Sequence, residues 1–197
     1  MSSDNSPFAD NQQVTELISD EYYCGFIEGE GCFYVGFSKR NDLPLKWQII
    51  TEFHLSQNPG GKNILEAFRK RLSCGYIKPN HPGSIKDKSW VLIIKDRKDL
   101  MERLLPFFKN NSLKSTKKEE FRVFSKVLQL IEKRKHLTSE GFKEIVLLVF
   151  ALNRATKKKY SIKDLIPETS ETIRQSPILH RSRYSPNPVA IRGTWQK

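Results

Sequence analysis

YCGFIEGEG (residues 23–31) and the CFYVGFS segment that follows it (residues 32–38) determine the architecture of this chain. The first segment favours an apolar helix and the second favours a strand. Gly25 and Gly29 leave one face of that helix without side chains, so the backbone of a second helix can approach it closely. Glu30 would then lie beside the same residue of a partner chain. Two carboxylates held that close repel each other unless a divalent cation lies between them, which predicts metal-dependent chemistry.

The composition favours one domain with an anionic partner. A chain of 197 residues can bury a sizeable core but is too short for two ordinary domains. It has 34 Lys and Arg against 22 Asp and Glu, a net charge of +12 and a pI near 9.6. Nucleic acid is the commonest partner of such a chain. The three cysteines and four histidines lack the spacing of a zinc site. No apolar run is long enough for a membrane span, and the first 20 residues lack the Lys and Arg of a targeting peptide.

The hydrophobic periodicity predicts an α+β fold with the element order αββαββα, followed by additional C-terminal helices. After the helix of residues 23–31 we expect strands at about 32–40 and 46–56, a helix that closes near Gly75, and a second hairpin at 76–80 and 89–95. Further helices are expected at about 97–109, 116–134 and 139–151. The domain boundaries follow as a disordered extension (1–12), a single domain (13–168) and a basic tail containing Pro and Ser (169–197).

Residues 23–31 resemble the signature motif of the LAGLIDADG homing endonucleases. Gly25, the acidic pair Glu28 and Glu30, and the closing Gly31 lie at matching positions, while glutamates replace the more usual aspartates. The resemblance extends over residues 14 to 165, and the chain contains one copy of the motif. The resemblance therefore implies a homing endonuclease of the single-motif, homodimeric type. Such a protein binds a long pseudo-palindromic duplex and makes a metal-dependent staggered double-strand break with short 3′ overhangs.

The resemblance also implies roles for individual residues. Glu30 corresponds to the metal-binding acid, the carbonyl of Gly29 also faces the ion, and Glu28 is the more structural acid that can cap or pair locally. Gln57 corresponds to the residue that orients the attacking water, although it can equally be a polar turn residue. The catalytic lysine is Lys114 as first choice and Lys117 as second, with a solvated lysine loop as the alternative. We expect Mg²⁺ as the cofactor; Mn²⁺ or Ca²⁺ can replace it for binding, but Ca²⁺ does not support cleavage.

Two antiparallel hairpins would form a twisted antiparallel sheet, a DNA-binding saddle that fits the major groove. Alternation assigns one face of each strand to the core and the other to DNA, although a generic sheet with one wet face has the same composition. The side chains expected to face bases are Tyr34, Ser38, Arg40, Gln48, Glu52, His54, Lys78, Asn80 and Ser89. Those expected near phosphates are Lys39, Lys46, Lys62, Lys86 and Lys88.

A single motif needs a second copy of the chain, so the crossing of two motif helices predicts a dimer interface. Its expected residues are Tyr23, Gly25, Phe26, Ile27 and Gly29. Two alternatives stay open: an intron-encoded maturase that binds RNA on the same scaffold, and a DNA-binding protein that has lost cleavage. The resemblance places the gene in an organelle, with the mitochondrion ahead of the chloroplast.

Overall fold

The computed structural model describes residues 18–152 and 159–166. The motif forms helix α1 (Asp20–Glu30), which begins where the Ser19 hydroxyl accepts the backbone N–H of Tyr22. The helix ends because the backbone becomes extended at Gly31. Strand β1 (Gly31–Lys39) therefore follows with no loop between, and Glu30 lies at the junction between helix and sheet.

The remaining elements follow the expected order. They are β2 (Trp47–Gln57), α2 (Lys62–Leu72), β3 (Tyr76–Pro79), β4 (Trp90–Ile94), α3 (Arg97–Asp99), a π-helical segment (Leu100–Leu104), α4 (Leu105–Asn110), α5 (Lys117–Glu132), α6 (Ser139–Ala151) and α7 (Ile162–Leu165). The α+β class and the αββαββα order are confirmed, with strand ends displaced by one or two residues. The expected extension (1–12), the ends of the expected domain and the tail (169–197) lie outside the described residues.

The four strands form one antiparallel sheet in the order β1-β2-β4-β3. Gly31 pairs with Leu55, and Gln57 pairs with Trp90. The start of β1, the end of β2 and the start of β4 therefore lie at the same end of the sheet. This is the end where α1 delivers Glu30.

The helices cover one face of the sheet and bury an aromatic core. Phe33 lies at its centre, with ring centroids 5.3 Å from Phe53 and Phe108 and 5.5 Å from Phe121 and Phe124. These contacts join β1 to β2, α4 and α5, so the core fixes the strand that continues from the motif helix. Within the described part of the chain, no helix has the length and apolar character to cross a bilayer.

Removing the central ring tests this core. Phe33→Ala is expected to lower the free energy of unfolding by about 3–5 kcal/mol, because it removes the ring and leaves a cavity among four others. Leu137→Ala is the control, because Leu137 is 59% exposed, and its expected change is within about 0.5 kcal/mol. Urea unfolding of both variants measures the difference. Similar losses in the two variants would contradict this description of the core.

Candidate functional site

Helix α1 has two chemically different sides. On its inner side Tyr23 and Ile27 are only 2% and 0% exposed, and the Tyr23 ring packs 4.8 Å from that of Phe68 in α2. The prediction that Tyr23 and Ile27 belong to a dimer interface is therefore wrong. They fill the core of their own protomer.

The outer side of α1 has the shape expected of a helix-packing surface. Among the described residues, a Cβ atom added at Gly25 or Gly29 would meet no atom within 4 Å, so the backbone is open to them there. Phe26 is half-buried beside this strip and its ring stacks on the exposed Tyr22 at 6.5 Å. The outer side thus offers bare backbone flanked by aromatic rings.

Glu30 lies at the end of this outer side. It is exposed, and within residues 18–152 and 159–166 its carboxylate has no hydrogen bond or ion pair. The N–H of Gly31 satisfies the carbonyl of Ile27, and the carbonyls that follow have no helical N–H to accept. The last turn of α1 also lacks a basic residue. A carboxylate and carbonyl oxygens at the negative end of a helix suit a hard divalent cation.

These oxygens form only part of a coordination sphere. Among the described residues no group of three or more His, Cys, Asp or Glu side chains could hold a metal ion. A cation at Glu30 would therefore take further oxygens from water or from a phosphate, as Mg²⁺ commonly does. The Glu30 carboxylate and the carbonyl oxygens at the end of α1 thus fit Mg²⁺, provided that water or a phosphate completes the coordination.

A third strip of α1 fastens the loop that carries the candidate lysines. Glu28 accepts the backbone N–H groups of Lys114 and Ser115 with one carboxylate oxygen, the second bond measuring 3.0 Å. These bonds lower the pKa of the Glu28 carboxyl. The partners lie 86 and 87 residues further along the chain, so Glu28 has the structural capping role that the resemblance implied, but its partners are distant rather than local.

Two more side chains of α1 continue this strip at four-residue spacing. The Cys24 thiol donates to the carbonyl of Asn111 at 3.5 Å, and burial raises the pKa of that thiol. Asp20 accepts from the Asn111 amide at 3.2 Å and also binds the Arg71 guanidinium at 2.8 Å. The loop from Asn111 to Ser115 is therefore held alongside the motif helix over the whole length of α1, by Asp20, Cys24 and Glu28.

The two candidate lysines have different environments. The Lys114 ammonium is exposed and donates to the Ser112 hydroxyl at 3.2 Å. Lys117 begins α5, and its side chain is only 18% exposed in an ion pair with Glu120 at 3.1 Å. The structure thus brings the backbone of Lys114 to the last turn of α1. Glu120 was not identified from the sequence, although its spacing of three residues from Lys117 on a helix is a signal for such a pair.

Gln57 is the last residue of β2, at the end of the sheet where α1 ends. Its side-chain oxygen accepts the backbone N–H of Asn58 at 2.7 Å, and its stem packs over Gly61. A Cβ atom at Gly61 would lie 2.4 Å from the Gln57 Cγ, so a larger residue there would displace Gln57. The Lys62 ammonium lies 4.2 Å over the Trp90 ring and pairs with Glu66 at 3.2 Å, so Lys62 is held by its own protomer.

The sheet face opposite the helices brings together the residues expected to face bases. Tyr34 lies opposite Glu52, and Ser38 lies opposite Gln48, so each pair shares that face. Arg40 is fixed there by bonds to Asp42 at 2.8 Å and Gln48 at 3.2 Å. The other members of the expected set are His54 on β2 and Lys78, Asn80 and Ser89 on the second hairpin, where the Asn80 amide donates to the Ser89 hydroxyl at 3.2 Å.

The lysines expected near phosphates are well placed to attract an anion. Lys39, Lys46, Lys86 and Lys88 are exposed, as is Lys78. None of these five ammonium groups has an ion-pair partner in the part of the chain that the structure describes. Their charges are therefore not neutralised within the protomer.

The LAGLIDADG endonuclease family model matches residues 23–128. The chain belongs to the LAGLIDADG endonuclease family. A probable intron-encoded endonuclease 2 of Neurospora crassa is 27% identical over 154 residues, which are 76% of this chain and 33% of the relative. A probable intron-encoded DNA endonuclease 1 of Mycosarcoma maydis is 26% identical over 102 residues, 52% of this chain and 34% of the relative. The chain spans about a third of the length of these two relatives.

Solved LAGLIDADG structures have the same fold. The homing endonuclease I-TnaI is 31% identical with a TM-score of 0.64, and the match covers 71% of this chain and 90% of that one. I-SmaMI bound to uncleaveable DNA is 21% identical with a TM-score of 0.65, covering 71% of this chain and 47% of that one. I-LtrWI bound to target DNA is 23% identical with a TM-score of 0.62, covering 67% of this chain and 43% of that one.

The Glu28 carboxylate provides a direct test of the fastened loop. In Glu28→Ala the backbone amides of Lys114 and Ser115 lose their acceptor, so their hydrogen exchange is expected to accelerate about tenfold. Exchange measured residue by residue checks this. Glu21→Ala, which changes another exposed acid of α1, is the control and leaves both amides protected. Unchanged exchange in Glu28→Ala would show that the loop is held by other contacts.

The same bonds predict a pH dependence of stability. The pKa of Glu28 is lower in the folded protein than its ordinary value of 4.5, so the ionised carboxylate stabilises the folded state above that pH. This contribution is lost as the pH falls through the folded-state pKa. Wild type is therefore expected to be more stable than Glu28→Gln at pH 7, and the difference shrinks under acid conditions. Urea midpoints of both proteins across this range measure it, and a difference that grows on acidification would contradict the assignment.

Proposed function

We propose that this chain is a homing endonuclease: a site-specific, metal-dependent DNA endonuclease that binds a long pseudo-palindromic duplex as a homodimer. The observation that carries the proposal is the free carboxylate of Glu30 at the end of a bare glycine strip. Within the described part of the protomer, neither the carboxylate nor the glycine strip has a partner. Two copies packed along this strip bring two such carboxylates together above one stretch of DNA.

The outer side of α1 supports the dimer. Glycine in the middle of a helix costs about 0.5–1 kcal/mol relative to alanine, and no described part of the protomer packs against the bare backbone at Gly25 and Gly29. Close packing of a second helix gives both glycines a purpose, with Phe26 beside them.

The chemistry proposed for the site is hydrolysis of one phosphodiester bond in each strand. Glu30 and the carbonyl of Gly29 would hold Mg²⁺, which neutralises charge that develops on the phosphate and lowers the pKa of a bound water. Gln57 would hydrogen-bond to the attacking water and so orient it. Lys114, or Lys117 after release from Glu120, would place a cation near the phosphate. Twofold symmetry would then give one cut in each strand, and the likeness to homing endonucleases implies a staggered break with short 3′ overhangs.

The sheet would bind the duplex through the major groove. Its exposed lysines would contact phosphates and fix the register, while the polar face between them reads base edges. The relatives named as intron-encoded endonucleases support a gene within an intron, and we place it in an organellar genome, with the mitochondrion preferred.

Blocking the glycine strip tests the dimer. In Gly25→Leu the protomer is expected to fold with equal or slightly higher stability, because a Cβ atom at this position meets no atom of the described residues within 4 Å and glycine is a poor helix former. The two helices can no longer approach, so sedimentation is expected to shift from dimer to monomer. Glu144→Leu, which adds the same side chain to an exposed site on α6, leaves the dimer intact. A Gly25→Leu protein that stays dimeric would place the interface elsewhere.

Removing the carboxylate charge tests the metal site. In Glu30→Gln we expect the affinity for the target duplex in Ca²⁺ to be retained and the cleavage rate in Mg²⁺ to fall by about a hundredfold or more. Target duplexes selected from a random library supply the substrate for both assays. Cleavage by Glu30→Gln at the wild-type rate would remove Glu30 from the mechanism. Tight binding to structured RNA with no selected duplex would favour a maturase instead.

A further inference from the structure

Three side chains form a cluster on the sheet face opposite the helices. His54 Nε2 lies 2.8 Å from Glu52 Oε2, and the Tyr34 ring lies nearly parallel to the imidazole, at 9° and a centroid distance of 6.1 Å. The strand register places Tyr34 opposite Glu52 and His54 opposite Cys32, which follows Glu30 by two residues. The cluster is therefore near the end of the sheet where the proposed cleavage site lies.

A glycine makes room for this arrangement. A Cβ atom at Gly36 would lie 2.3 Å from the Tyr34 hydroxyl, so the tyrosine lies over a position that has to remain bare. Tyr34 is 42% exposed in this position and covers one side of the His54 ring. The plane of the imidazole is thus fixed by a stacked ring on one side and by the Glu52 carboxylate at its edge.

Glu52 is unusual on a surface that would face a polyanion. A carboxylate there repels phosphates unless hydrogen-bond donors occupy it. His54 occupies one of its oxygens, and within residues 18–152 and 159–166 no other donor contacts it. The second oxygen stays available as an acceptor. In the major groove the donors that suit a carboxylate are the exocyclic amino groups, above all N4 of cytosine.

His54 supplies the opposite polarity. When Nε2–H donates to Glu52, an imidazolium ring still has Nδ1–H as a donor. A cation in the major groove suits guanine, which presents the two acceptors O6 and N7, better than adenine, where an amino group adjoins N7. Anion and cation held side by side therefore complement cytosine and guanine of one base pair.

We propose that Glu52 and His54 together read one C·G base pair in each half-site. Glu52 accepts from N4 of cytosine, His54 Nδ1–H donates to O6 or N7 of guanine, and Tyr34 is a positioning residue that fixes the imidazole. The proposal rests on the proposed function, since it assumes that the sheet binds duplex DNA. It adds which base pair one part of the sheet selects.

The test compares base preference rather than total affinity. Duplexes bound in Ca²⁺ are selected from a random library by the wild-type protein and sequenced, which gives a consensus for each half-site. The four base pairs at each position are then compared within each variant, so that a uniform loss of affinity cancels. The variants are Glu52→Gln, His54→Asn and Gly36→Ala, with Glu144→Gln on α6 as the control for removing one negative charge. Circular dichroism checks that each variant is folded.

The wild-type consensus is expected to contain a C·G pair whose preference falls about tenfold or more in Glu52→Gln and in His54→Asn, at that position only. In Gly36→Ala both reading groups remain but Tyr34 is displaced, so the same preference weakens at the same position. Glu144→Gln changes no position. A consensus that Glu52→Gln leaves unaltered, or alters evenly at many positions, would overturn this inference while the proposed function stands. If wild type selects no duplex at all, the proposed function fails first.

Discussion

The Glu28 carboxylate accepts two backbone N–H groups of the loop before α5 and so joins the end of the motif helix to a segment 86 residues further along the chain. Cys24 and Asp20 extend this contact along the helix. Because Glu30 follows Glu28 by two residues, the same bonds that hold the lysine loop also fix where the free carboxylate lies. The acid and the backbone of the lysine loop are therefore positioned together, as the proposed reaction at a phosphate would require.

The side of α1 that carries Gly25 and Gly29 is not covered by the described residues of its own protomer. The helix buries Tyr23 and Ile27, binds the loop with a second strip, and presents bare backbone at Gly25 and Gly29 on the third side. A helix committed to its own protomer on two sides can offer the third to a partner without loss of its position. Like the bare backbone, the exposed lysines of the sheet and the Glu30 carboxylate lack a partner within the described part of the protomer. A dimer on DNA would supply the missing partners together.

Much of this arrangement was predictable from local sequence patterns. Strand alternation correctly assigned Tyr34, Glu52 and His54 to one face, and the glycine spacing located the open side of α1. Other features depend on contacts between distant segments. Apolar residues occur on both sides of α1, so periodicity could not show that Tyr23 and Ile27 face their own core. The partners of Glu28 could not be predicted from the sequence either, because a carboxylate that binds backbone N–H groups imposes no pattern on the residues that provide them. The contact of Lys62 with Trp90 likewise depends on the register of β2 against β4.

In the proposed mechanism each protomer contributes one Glu30 to the cleavage of one strand. The most direct measurement uses mixed dimers of wild type and Glu30→Gln, separated from both parent dimers by different affinity tags, acting on a supercoiled plasmid that carries the selected target. The mixed dimer is expected to produce nicked circles, whereas wild type is expected to produce linear DNA. Linear DNA from the mixed dimer at the wild-type rate would contradict the account.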